Sequence, residues 1–232
     1  MTSPPSETPA RQARTVMRAT DRAALATSQG GWPFASLVLA ALDHDGTPLL
    51  LISDLSEHAK NIKREPRVSL LFDGTRGFDD PLTGPRVTVL GEAQASAEKR
   101  LLQRFLARHP AAELYAGFAD FHLYRIAVTR AHLVAGFGRI HWIEASDLLP
   151  AVDPRWTTGE AELVSTLNGD PSRLQGMLTA YGLTGEWHFT GIDPEGADLR
   201  NRGNIGRLEF ATVLQKPGDG LAALAQATLT TL

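Results

Sequence analysis

No cysteine occurs anywhere in the 232 residues. Disulfides, thiolate metal sites, cysteine-ligated iron–sulfur clusters and a cysteine nucleophile are therefore excluded. A charge excess is missing too. The 23 Lys and Arg stand against 26 Asp and Glu, a net of −3, which argues against a nucleic-acid or membrane-surface binder, since those show a basic excess. No apolar run approaches the roughly 18–20 residues of a membrane span. Residues 1–14 contain Pro, Ser and Arg but no hydrophobic stretch, so no secretory signal is expected, and a cytoplasmic location follows by default. Dinucleotide and Walker glycine loops are lacking, as are His-Glu-x-x-His and Ser-His-Asp signatures.

What is present is an ordinary globular balance, 43% hydrophobic and 21% charged, enough for one large domain or two small ones. The charge is unevenly spread. Residues 1–150 hold 17 basic and 16 acidic side chains, and residues 151–232 hold 6 and 10, so an anionic cofactor is better accommodated by the first part. Three segments are expected: an arm over 1–14, a main domain over 15–149, and a small α+β domain over 150–232.

The spacing of Val16, Ala19, Ala23 and Ala26 predicts a helix from Thr15 to Ser28, broken by Gly30-Gly31. Ser36–Leu42 and Leu49–Ser53 read as strands joined by a turn at Asp45-Gly46. Ser56 caps a helix over Glu57–Arg64 that ends before Pro66. Arg67–Phe72, Arg86–Leu90, Phe121–Val128 and His132–Ala135 read as strands, with Ile140–Ile143 following. Ser96–Arg108 is an amphipathic helix. Beyond Pro150, a helix over Glu160–Tyr181 breaks near Asn168-Gly169-Asp170-Pro171. Trp187–Gly191 and Arg207–Leu214 are strands, and Gly220–Leu229 is a closing helix. Hairpin-joined strands with inserted helices predict an α+β antiparallel barrel.

Several stretches carry a resemblance. Trp32-Pro33-Phe34-Ala35-Ser36, the run from Ser53 to Ile62, and Glu65-Pro66-Arg67-Val68-Ser69-Leu70-Leu71 resemble the FMN-binding split barrel of pyridoxamine-phosphate-oxidase relatives. Asp80-Pro81-Leu82, Arg86-Val87-Thr88 and Gly136-Phe137-Gly138-Arg139-Ile140 are similar to its haem-utilisation (HugZ-type) branch. The block from Gly191 to Leu199 resembles the small C-terminal domain attached to that branch. The resemblance implies an antiparallel split β-barrel, a homodimer, and a cofactor site at the dimer seam near Ala35–Ala40 and Ser53–His58. Two departures matter. The oxidases carry an Arg-Lys pair where this chain has Glu57-His58, and a carboxylate repels a phosphate dianion. The C-terminal histidines of the branch are replaced by Thr166–Pro171.

Three functions follow as alternatives: an FMN-associated oxidoreductase, a haem-binding or haem-degrading protein, and a cofactor-free interaction module. For cofactor contact the candidates are Ser36, Ser53, His58, Lys60 and Arg67, with Arg86 a lesser one. Each has an ordinary alternative, a surface ion pair for Arg67 and a solvated helix face for Lys60. His141 is the candidate haem-iron ligand, because one imidazole suffices. Trp32 and Phe34 either stack on a planar ring or pack a core or dimer contact. Asp79 and Asp80 are expected to shape a loop and cap a turn.

Overall fold

The computed structural model describes residues 8–230. Residues 8–150 and 151–230 form two compact units.

The first unit opens with helix α1 (Pro9–Ala19), capped by the Thr8 hydroxyl on the Arg11 amide. Residues 9–14, expected in an arm, thus lie in a helix; residues 1–7 fall outside the described residues. The predicted helix over 15–28 is corrected. It ends at Ala19, and β1 (Arg22–Gln29) replaces its second half. β1 alternates buried Ala23, Leu25 and Thr27 with outward Arg22, Ala24 and Ala26, a period of two. Gly30 and Gly31, at φ +59° and +89°, turn the chain into β2 (Trp32–Leu39), which pairs with β1 residue for residue.

The curled antiparallel sheet continues with β3 (Ala41–Leu42), β4 (Pro48–Ser53), β5 (Arg67–Asp73), β6 (Arg86–Ser96), β7 (Phe121–Val134) and β8 (Ile140–Glu144). Its order is β2-β1-β5-β6-β7-β4-β3, with β8 also on β7. This is the split barrel. Helix α2 (Glu57–Arg64) is capped by Ser56, whose hydroxyl accepts from the Ala59 amide at 3.2 Å. Asp80 caps the turn over Pro81–Thr83. Helix α3 spans Lys99–Arg108, and the short α4 spans Ala145–Leu148.

Inward residues Leu25, Leu50, Ile52, Leu70, Phe72, Val87, Val89, Ile126 and Leu133 form the core, closed by Val16 and Met17 of α1 and Ala59 and Ile62 of α2. Burying a side chain of this size contributes roughly 1.5–3 kcal/mol. β4 is buried on both sides because Leu49 turns the other way, against Leu101 and Phe105 of α3. The outer surface of β2, β5 and β8 keeps large exposed hydrophobics instead.

In the second unit, α5 (Arg155–Asn168) and α6 (Pro171–Thr179) break where expected, and Asp170 caps α6. A four-stranded sheet is built from β9 (His188–Asp193), β10 (Gly196–Asn201), β11 (Asn204–Glu209) and β12 (Thr228–Thr230). The predicted closing helix shrinks to α7 (Gly220–Leu224), followed by β12. Trp156, Leu178, Phe189, Leu199 and Leu208 are its core. No helix among the described residues is long and apolar enough to cross a membrane.

Candidate functional site

The turn after β4 gathers Ser53, His58 and Lys60 at the start of α2. Ser53 Oγ donates to Asp120 Oδ2 at 2.5 Å and accepts from the Leu55 amide. Lys60 Nζ lies 2.7 Å from Glu57 Oε1. Lys63 pairs with Asp54, which also meets His122. The hydrogen bond from Lys63 is the largest effect on the Asp54 carboxyl; burial opposes it, and the smaller His122 contact helps keep the carboxyl below its usual range. His58 is half-buried, and that desolvation lowers its proton affinity, so it stays neutral near pH 7 and makes a weak anion clamp.

Arg67 stands at the other end of α2, a helix about 12 Å long. It forms a two-pronged pair with Glu65, whose carboxyl it pulls down to about 2 by hydrogen bonding. Ser36 lies on the inner side of β2, opposite Leu25. The structure thus places Ser53, His58 and Lys60 at the start of α2, Arg67 just beyond its end, and Ser36 on the inner face of β2. The cations Lys60, Lys63 and Arg67 each face a carboxylate of this chain, which is a poor arrangement for an added phosphate.

A different constellation lies on the outside of the barrel. The ladder registers place Leu37, Ala24, Leu71, Thr88, His132 and Trp142 in one row across β2, β1, β5, β6, β7 and β8. Directly opposed residues of antiparallel strands share a face, and Leu25, Leu70, Val87 and Val89 in alternate positions are buried inward. Leu37 is 73% exposed, Leu71 38% and Trp142 56%. The Trp142 ring meets the His132 ring at 4.7 Å between centroids, and the Arg130 guanidinium lies 4.3 Å from the Trp142 ring centre. Arg86 borders the row on the other side, its Nη1 donating to the Leu82 and Gly84 carbonyls.

From β5 to β8 the row spans three strand spacings, about 14 Å, wide enough for a planar macrocycle. Apolar wall, imidazole and guanidinium are the donor set a porphyrin needs. His141 is exposed but sits on the other face of β8, opposite Leu133 and in phase with buried Ile143. Trp32 is exposed at the start of β2.

His132, Trp142, Arg130, Leu71 and Leu37 were not singled out as a group by the sequence. The usable signal was period-two alternation, but Phe121–Val128 and His132–Ala135 read as separate strands. The structure has one strand, with a register shift opposite Leu90 and Gly91. A Cβ on Gly91 would stand 2.4 Å from the Ala127 carbonyl oxygen, so glycine permits that irregularity.

Comparison with known proteins agrees with the fold. A heme binding protein from Mycobacterium smegmatis is 31% identical, with a TM-score of 0.59, over 94% of this chain and 95% of that one. An Agrobacterium tumefaciens protein of unknown function is 29% identical, with a TM-score of 0.80, over 96% and 95%. The chloroplastic heme oxygenase HOZ of Arabidopsis thaliana is 34% identical over 134 residues, 55% of this chain and 40% of HOZ. The chain thus spans less than half the length of that relative. The family described as CREG, beta-barrel, matches residues 4–149, and this chain belongs to that family.

Proposed function

We propose that this protein binds haem on the outer wall of its split barrel and serves haem utilisation or breakdown. The observation that carries the reading is the exposed row from Leu37 to Trp142, an apolar strip holding an imidazole and bordered by arginines. Relatives described as a heme binding protein and a heme oxygenase support it. Bound haem supplies its own iron redox chemistry. The chain's part is to hold the macrocycle by apolar contact, orient its carboxylate edge and keep water from one face.

A homodimer belongs to the same reading. A porphyrin on an open wall leaves one face in water, and a second copy is the occupant that would cover it. An exposed apolar sheet face of this kind is otherwise an association hazard. A cytoplasmic location goes with the proposal, consistent with the lack of cysteine.

FMN fares less well, because the phosphate it carries would compete with Glu57 and Glu65 for Lys60 and Arg67. Absorption titrations with haemin and with FMN separate the two. Haemin is expected to give a shifted, saturable Soret band, with FMN leaving its own bands unchanged. Saturable flavin binding with no haemin response would overturn the proposal.

A further inference from the structure

We infer that His132 is the iron ligand of this wall and that Arg130 takes a haem carboxylate; the inference rests on the haem reading above. The chain has seven histidines, and the structure sorts them. His44 and His109 are buried, the first against Asp43 and Arg100, the second on the Ala40 carbonyl. His122 contacts Asp54. His58 lies on α2 and His188 starts β9 in the other unit. His141 is accessible but on the wrong side of β8. His132 alone stands in the middle of the outer apolar row, between Thr88 and Trp142.

No hydrogen bond to another described residue occupies its ring nitrogens; its contact is the tilted packing on Trp142. A strand residue packed by an aromatic neighbour across the ladder is held in place without being consumed chemically, which suits an axial ligand. Arg130 is two residues earlier on β7, so it projects from the same face, about 7 Å along the strand. It rests on Trp142 from the adjacent row. Its fork is the guanidinium chemistry that recognises a carboxylate. Trp142 therefore positions both groups.

The test uses the full chain, haemin and three variants: His132→Gly, His141→Gly and Arg130→Leu. Far-ultraviolet circular dichroism confirms that each is folded. His132→Gly is expected to lose the ligated Soret band and to regain it on adding imidazole, which a merely unfolded variant would not do. His141→Gly is expected to titrate like the natural chain. Arg130→Leu is expected to weaken haemin binding on the order of tenfold or more, while haemin dimethyl ester binds both proteins equally. If the natural chain binds haemin and His132→Gly keeps the same band, the ligand assignment is overturned but the haem reading stands. Equal haemin affinity in Arg130→Leu overturns the carboxylate assignment. If the natural chain does not bind haemin, both this inference and the reading beneath it fall.

Discussion

Arg207 shows what a single residue can hold together. Its side chain is fully buried, with Nη1 and Nη2 on Asp193 at 2.9 and 3.0 Å, Nη1 on Asp198 at 2.9 Å and Nε on Glu209 at 2.6 Å. Burial disfavours its charge, and the carboxylates of Asp193, Glu209 and Asp198 outweigh that. Strands β9, β10 and β11 each contribute one of those acids, so the guanidinium pins the register of the sheet. Arg207→Met keeps the length but leaves three acids without their shared cation. Breaking a buried pair from one side costs about 3–5 kcal/mol. Urea denaturation should show the second unit unfolding at clearly lower urea than in the natural protein; an unchanged midpoint would mean the cluster contributes little.

At the scale of elements, an ion pair reinforces the apolar join between the β3–β4 hairpin and α3. Arg100 grips Asp43 with two bonds, at 2.6 and 2.8 Å, and the His44 amide donates to the same carboxylate at 2.8 Å. Burial raises the Asp43 pKa, but hydrogen bonds from Arg100 and His44 overcome this and hold it well below the usual carboxylate range. With the folded value depressed, the unfolded chain binds the proton more readily. The stabilisation is complete above the unfolded pKa, about 3.9, and is lost as pH falls through the folded value. Asp43→Asn should therefore be less stable at pH 7, by a margin that narrows as the pH drops below about 4; denaturation at several pH values checks this. Element boundaries were readable where punctuation was local, as at Ser56, Pro66 and Gly46. They failed where distant pairing decided. The alanines of 19–26 favour helix on their own, yet Arg22–Gln29 gains a full ladder with β2 through the Gly30-Gly31 turn. The bulge beside Gly91 likewise hid that Phe121–Val134 is one strand, because it depends on a partner strand forty residues away.

On the scale of the whole molecule, the exposed wall is the feature that asks for a partner. The split barrel and its small companion unit were legible from hairpin order and the resemblance. The wall was not, since exposure is a property of the assembled sheet and not of any one strand. If a second copy covers it, placing Asp at both Leu37 and Leu71 puts unpaired charges into that contact. Light scattering should then find the monomer mass for the double variant and twice that mass for the natural chain; equal masses would remove the wall as the dimer seam. The most direct measurement is a crystal of the haemin-loaded protein with an anomalous difference map recorded at the iron edge. An iron peak is expected above the outer surface of β7, within coordination distance of His132 and beside Trp142. A peak at the start of α2 near Ser53 and His58, or next to His141, would contradict it.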